Sequence, residues 1–171
     1  MVASTKDWPG LMKNTYDQSH LNPGGWVELQ DVNTKFYSDD GTFTDKHATG
    51  RWMDGFSKVC LAMGRDTSVA PRLGNVVEDA GFENTHAQHI KAPLGPCGKE
   101  QHHRDVGMMN LILTIDGLKA LYLKLFSELL RRTQAEIIVE LAMVRKELKS
   151  STFHVIFDMW VPSLPPSLMR F

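Results

Sequence analysis

The sequence is poor in cysteine. Cys60 and Cys97 are the two it has, and they stand far apart. That excludes a disulfide framework and offers no paired spacing that would grip zinc. As buried or incidental thiols they fit a reducing compartment. No sign of charge dominates: 19 basic and 20 acidic side chains leave a net charge of -1. A chain so balanced gives no case for nucleic acid or for an anionic membrane surface. Long apolar runs are missing too. The opening "MVASTKDWPG" has no apolar stretch, so a cleaved signal peptide is not expected. The most apolar run, Val106 to Ile115, is about half the roughly 20 residues a bilayer crossing needs. These absences lead to the expectation of a soluble intracellular protein, cytoplasmic or nuclear. Repeats, low-complexity blocks and linkers are also absent, so the 171 residues read as one domain with a real core. Residues 1–161 form that domain, and 162–171, with three prolines in "PSLPPSLMRF", form an extended tail.

What is present begins with "LNPGGWVELQD", residues 21–31. Asp7 to His20 has helical spacing, with Trp8, Leu11, Met12 and Tyr16 on one side. Pro23 stops that helix. Trp26, Val27 and Leu29 then give β-forming character. The order is therefore helix, glycines, strand. A phosphate or dinucleotide loop needs the reverse, strand then glycines then helix, so that a helix N-terminus faces the anion. Pro23-Gly24-Gly25 is read as a turn. Glu28 is odd in a strand expected to be largely buried: it needs a partner in the covering layer or a polar cavity to line.

Further along, Trp52, Phe56, Val59, Cys60 and Met63 make the stripe of a helix over Arg51 to Met63, ended by Gly64. "VAPRLGNVVEDAGF" gives a helix with Leu73, Val76, Val77 and Ala80 inward. "FENTHAQHIKAPLG" reads as a strand. Residues 99–131 read as two helices that meet at Asp116-Gly117. "TQAE", Thr133 to Glu136, is a capping box that opens a helix with Ile137, Leu141, Val144 and Leu148 inward. "TFHVIFDMWV" is a last strand, with Phe153, Val155, Phe157 and Met159 on one face. Trp26, Trp52, Leu73, Val76, Ile137, Leu141 and Phe157 are expected in one core.

In open α/β sheets, ligands sit beyond the carboxyl ends of strands. With the strand ending near Asp31, the positions to watch are Asp31, Tyr37, Ser38 and Asp39, although "SDDGT" also reads as an ordinary solvated turn. Trp52 and Met53 either belong to the core stripe or reach over the strand ends as a ligand wall. His154 is placed near the start of the last strand. No metal site is expected: His86 and His89 fall on opposite faces of a strand, and His102 and His103 are adjacent. Spacing alone shows no nucleophile-base or paired-carboxylate arrangement.

Several consecutive blocks carry a resemblance: "KDWPGLMKNTYDQSHLNPGGWVELQD", "SDDGT", "RWMDGFSKVCLAMGR", "APRLGNVVEDAGFENTHAQHIKAPLGP" and "LAMVRKELKSSTFHVIFDMWV". In family order, from about Lys6 to Val161, they resemble the LaeA-like S-adenosylmethionine-dependent methyltransferases of filamentous fungi, which are linked to secondary metabolism. The resemblance implies an α/β fold: the C-terminal half of a doubly wound, Rossmann-like class I methyltransferase sheet, about three strands with covering helices. Those are the fifth, sixth and seventh strands, the seventh antiparallel and inserted between the other two. In the family the S-adenosylmethionine site lies mainly in the first half, on a "D.G.G.G" loop that has no counterpart here. No cofactor-binding residue is therefore carried over, and this chain alone is not expected to bind S-adenosylmethionine. The substrate side of the pocket, for a small-molecule metabolite, carries over to Asp31, Tyr37, Trp52 and His154. The family order also leaves the edge of strand 26–31 open where a fourth strand would lie, a place for a protein partner. The ending departs from the family's "YGRKP"-like stretch. Two alternatives stand beside the methyltransferase: a non-catalytic remnant that binds a full-length relative or regulators, and a pseudo-enzyme that binds a metabolite without cofactor.

Overall fold

The computed structural model describes residues 5–17, 27–82, 85–129, 132–150 and 152–164. Along the chain run α1 (Trp8–Asp17), β1 (Val27–Glu28), β2 (Asp31–Tyr37), α2 (Ala48–Ala62), a 3-10 turn (Ala70–Arg72), α3 (Leu73–Asp79), β3 (His86–Leu94), α4 (Gln101–Leu129), α5 (Gln134–Ser150) and β4 (Val155–Leu164). The strands form one four-stranded sheet in the order β1-β4-β2, and β3 also pairs with β4. The last strand is thus the hub. It runs antiparallel to β1, with Val27 opposite Leu164 and Glu28 opposite Ser163, and the Leu29 N–H donates to the Pro162 carbonyl at 3.0 Å. The family resemblance puts the last strand between the fifth and sixth. Here β4 pairs with the strand stretch that follows the Pro-Gly-Gly and with β3. The Pro23-Gly24-Gly25 turn and Trp26 themselves lie outside the described residues.

The chain divides into two compact units, and β2, β3 and β4 give residues to both. In the first, α1 and α3 build a core of Trp8, Met12, Leu29, Val69, Leu73, Val77 and Phe82, with Tyr16, Val27, Val76 and Ala80 partly buried against it. Helix α1 starts where Asp7 accepts a hydrogen bond from the Gly10 N–H (2.9 Å), a side-chain cap of the usual kind. Its Leu11, expected inward, is partly exposed. Just past the end of α3, Gly81 has a φ of +101°, which favours glycine, and a Cβ there would press on the Tyr16 ring at 3.2 Å.

The second unit is built on α2, α4 and α5. Trp52, Phe56, Val59 and Cys60 of α2, Leu111 and Leu118 of α4, and Ile137, Leu141, Val144 and Leu148 of α5 are all buried. Complete burial of such an aliphatic side chain contributes about 1.5–3 kcal/mol. The capping box at the start of α5 forms as read: Glu136 accepts from the Thr133 N–H and hydroxyl, both at 2.9 Å, and the Glu136 N–H returns to Thr133 at 3.3 Å. Helix α4 packs so closely on the turn after β3 that a Cβ on Gly107 would sit 1.9 Å from the Gly95 carbonyl oxygen. The same backbones share a hydrogen bond, Gly95 N–H to Gly107 O at 2.9 Å.

Four expectations change. Residues 101–129 are one helix, not two: a single glycine costs a helix interior about 1 kcal/mol, too little to break it. The strand stretch does not end at Asp31. It pauses at Leu29-Gln30 and resumes through Tyr37, because Val32, Thr34, Phe36 and Tyr37 are themselves strand formers. Glu28 is exposed, with Gln30 Nε2 on its carboxylate at 2.6 Å, so no buried charge needs a partner. Finally, the apolar residues expected in one core divide between the units, Leu73 and Val76 in the first and Trp52, Ile137, Leu141 and Phe157 in the second. A helical stripe shows that a face is buried, and its period does not say against which layer.

Candidate functional site at the end of strand β2

Because β2 runs on to Tyr37, its carboxyl end opens into the loop 38–47, "SDDGTFTDKH", before α2. The loop is built from short polar side chains that bind their own backbone. Asp40 Oδ1 accepts from the Thr42 N–H (3.0 Å) and the Thr42 hydroxyl (2.6 Å). Ser38 Oγ accepts from the Phe43 N–H at 3.0 Å. The Thr44 N–H donates to His47 Nδ1 at 3.0 Å.

Three longer ties fix this loop to distant parts of the chain. Lys91, on β3, places its ammonium 2.9–3.0 Å from both oxygens of Asp39 and 5.7 Å from the centre of the Tyr37 ring. His154, just before β4, donates its backbone N–H to Thr42 Oγ1 at 2.9 Å and sets its ring Nδ1 on Asp40 Oδ2. The rings of Phe43, His47 and Phe153 cluster, with His47 and Phe153 centres 4.6 Å apart and Phe43 and Phe153 centres 5.4 Å apart. The Asp40 carboxyl is pulled down from 3.8 to about 2, first by the Thr42 hydroxyl, then by the Thr42 N–H and then by His154.

The N-terminus of α2 has an anion already. Glu147 of α5 accepts from the Ala48 N–H, the Thr49 N–H and the Thr49 hydroxyl, each at 2.8 Å. Burial would raise its pKa, but these hydrogen bonds outweigh burial and hold it below 4.5. A second carboxylate or phosphate does not fit on the same N–H groups. The β2–α2 junction therefore does not fit the carboxylate end of S-adenosylmethionine, and no residue here is assigned to that cofactor.

Two hollows flank the loop's aromatic cluster. One of about 330 Å3 is lined by residues that include Phe36, Tyr37, Gly41, Phe43 and Met53, with Lys35, Asp45 and Asp54 also on its wall. A second, of about 50 Å3, is lined by Leu94–Cys97, Leu148, Phe153 and His154. Burial raises the Cys97 thiol above its usual value, keeping it protonated. A wider hollow of about 510 Å3 lies beside α5, where Arg132 pairs with Glu140 and Glu136 serves the helix cap.

Of the four residues read as pocket candidates, Tyr37 lines the larger hollow and His154 the smaller. Trp52 is 4% exposed in the α2 core stripe, while its neighbour Met53 lines the larger hollow. Asp31 opens β2, buried, with its carboxylate accepting from the Val32 N–H at 3.0 Å. Six strand steps, about 20 Å, separate it from Tyr37. The sequence reading missed Asp40, Thr42 and Lys91. The "DDGT" turn chemistry pointed to the first two. Nothing near Lys91 pointed to the third.

Elsewhere, His89 Nε2 lies 2.8 Å from Asp158 Oδ1 and stacks on Trp160, ring centres 4.5 Å apart. Among the described residues no three His, Cys, Asp or Glu side chains come together as metal ligands, and no helix is long and apolar enough to cross a membrane.

No family model matches the chain. Individual relatives do. The methyltransferase pytC of Aspergillus terreus is 35% identical over 158 residues, which are 92% of this chain and 48% of the relative. The probable methyltransferase tdiE of Emericella nidulans is 24% identical over 155 residues, 91% of this chain and 48% of the relative. The protein-methionine methyltransferase laeA of the same species is 26% identical over 152 residues, 88% of this chain and 40% of the relative. The chain thus spans about half the length of the curated relatives it matches. Along nearly its whole length the chain is thus similar to fungal methyltransferases, pytC, tdiE and laeA among them, as a match to about half of their length or less.

Proposed function

We propose that this chain is the C-terminal, acceptor-side part of an S-adenosylmethionine-dependent methyltransferase that acts on a small molecule of fungal secondary metabolism. The observation that carries the reading is the 35% identity to pytC over 92% of the chain. On this reading the methyl donor is held mainly by the stretch of the relatives that the chain does not match. The occupied N-terminus of α2 agrees with that division of labour. The acceptor lies beyond the end of β2, where Tyr37, Phe43 and Met53 offer an apolar wall beside ionised side chains. When bound, the donor supplies an electrophilic methyl group. The part of these residues is to seat and orient the molecule that receives it.

The test separates the two parts. Isothermal titration of S-adenosylmethionine into the 171-residue protein is expected to show no micromolar binding. A fusion with the unmatched half of pytC placed ahead of it is expected to bind. Micromolar binding by the 171 residues alone would overturn the division, and a folded fusion that neither binds the donor nor transfers a methyl group would overturn the function. The family order also leaves room for a strand from another protein chain beside residues 26–31, which is the partner this reading allows.

A further inference from the structure

The larger hollow beyond β2 combines aromatic walls with unbalanced charge. Gly50, Met53 and Asp54 line it from α2, spaced by three and four positions and so on one face of the helix. At Gly50 the loop comes close: a Cβ there would stand 3.4 Å from the Phe43 ring and 3.7 Å from Asp45 Cα. Asp45 and Asp54 belong to the same wall. Among the described residues neither carboxylate has a hydrogen bond or an ion pair, and Lys35 is the one cation of the lining. The wall is left with one net negative charge. Lys91 does not offset it, because both oxygens of Asp39 hold its ammonium. Phe36, Tyr37 and Phe43 complete the aromatic part of the lining. Phe36 is backed by Phe157 and Phe43 by Phe153, with ring centres 6.2 Å and 5.4 Å apart. The Tyr37 ring already has one cation over it, the Lys91 ammonium at 5.7 Å.

We infer that this hollow binds an organic cation, a protonated amine carried on a flat, apolar body. The face of an aromatic ring is electron-rich and attracts an ammonium group. Two carboxylates with no cation of their own add to that attraction. The volume, about 330 Å3, falls within the roughly 300–1,000 Å3 of small-molecule sites. Other occupants are disfavoured. A carboxylate or phosphate would meet Asp45 and Asp54, and the α2 N–H groups that could hold it are taken by Glu147. A bare metal ion would need several oxygen or nitrogen ligands, and among the described residues no three such side chains come together. The inference rests on the acceptor-side reading above and names the class of its substrate. A protonated nitrogen has no lone pair, so it cannot take a methyl group while it is held here. The amine is the handle that seats the molecule, and methylation falls on another of its atoms.

The experiment titrates the 171-residue protein, labelled with 15N, with three ligands of similar shape: 2-phenylethylamine, 2-phenylethanol and 3-phenylpropionate. At pH 7 they are cationic, neutral and anionic, and the amide signals of residues 35–54 report binding. The amine is expected to bind there roughly tenfold more tightly than the alcohol, and the propionate not to bind. In D45N/D54N the amine should weaken by roughly fivefold with the alcohol unchanged. Both positions are exposed, and unchanged amide signals elsewhere verify that the variant is folded. D54K should reverse the preference, so that the propionate binds and the amine does not, a gain that lost structure could not produce. Equal affinity for amine and alcohol, no binding of the amine, shifts confined to other residues, or an amine affinity unchanged in D45N/D54N would each overturn the inference. None of these readouts involves the methyl donor. A protein that passes them and fails the fusion assay refutes the methyltransferase reading alone, and one that passes the fusion assay and binds amine and alcohol alike refutes the amine alone.

Discussion

Replacing a helical glycine by alanine normally stabilises a protein, and at Gly107 the opposite is expected. Gly107 is an interior position of α4, so propensity alone favours alanine by about 1 kcal/mol. The added Cβ, however, would lie 1.9 Å from the Gly95 carbonyl oxygen, 2.9 Å from the Gly95 carbonyl carbon and 3.3 Å from Pro93 Cβ. Real Cβ contacts essentially never fall below 3.0 Å, so helix and turn must part by at least 1.1 Å (3.0 minus 1.9). The obstacle is backbone, which has no rotamer to escape into. Such overpacking costs about 1–3 kcal/mol. Moving the turn also strains the Gly95 N–H to Gly107 O hydrogen bond, a further loss of about 1 kcal/mol. Set against the gain in propensity, G107A should be destabilised by about 1–3 kcal/mol. Urea unfolding followed by far-UV circular dichroism measures it. G74A serves as the control: its Cβ would meet Ala87 Cβ at an ordinary 3.9 Å, so it should be neutral or more stable by up to about 1 kcal/mol. If G107A matched G74A, the close approach of α4 to the turn would be wrong.

Three other outcomes are expected. E147Q should lose about 1–2 kcal/mol at pH 7, as loss of a helix cap does. Because the Glu147 pKa is lowered on folding, that contribution is complete above the unfolded value of about 4.5 and fades as pH falls through the lower folded one, so unfolding curves of E147Q and the unmodified protein should converge in acid. T42V removes the largest of the influences that bring Asp40 to about 2, and carboxyl 13C titration should find the Asp40 pKa moved upward; an unchanged value would count against the Thr42 bond. L73A, at a side chain with 0% exposure, should cost about 2–5 kcal/mol in the same urea assay, and a loss under 1 kcal/mol would mean that α3 does not pack as described.

What could be read from the sequence follows from the range of each interaction. The capping box of α5, the stripe Ile137-Leu141-Val144-Leu148 and Trp52, Phe56, Val59 and Cys60 of α2 are set by neighbours three or four positions apart and are found as read, while Met63, the last of the α2 stripe, caps the helix half-buried. The continuation of β2 is written in Val32, Thr34, Phe36 and Tyr37, but Asp31 and Asn33 are residues that also favour turns, and they mask it. The two ties that make the loop a site were out of reach. Asp40 and His154 are 114 positions apart, and Asp39 and Lys91 are 52; no local period connects them. Tyr37 and His154 were chosen for their place near strand ends, which is why they fall beside the loop, whereas Asp31 was chosen from a strand end that lies six residues too early.

The position of β4 as hub of the sheet bears on how the polypeptide acquires its structure during synthesis. Strands β1, β2 and β3 all leave the ribosome before β4 does, and not one of them has its sheet partner until then. The helices can form as they emerge, since their hydrogen bonds are local, but the sheet must close late and across large sequence separations, a topology that folds slowly. Through that interval three strands expose unsatisfied backbone, the condition under which nascent chains are captured by chaperones or by one another. A ribosome stalled before Val155 would therefore carry helices and no sheet.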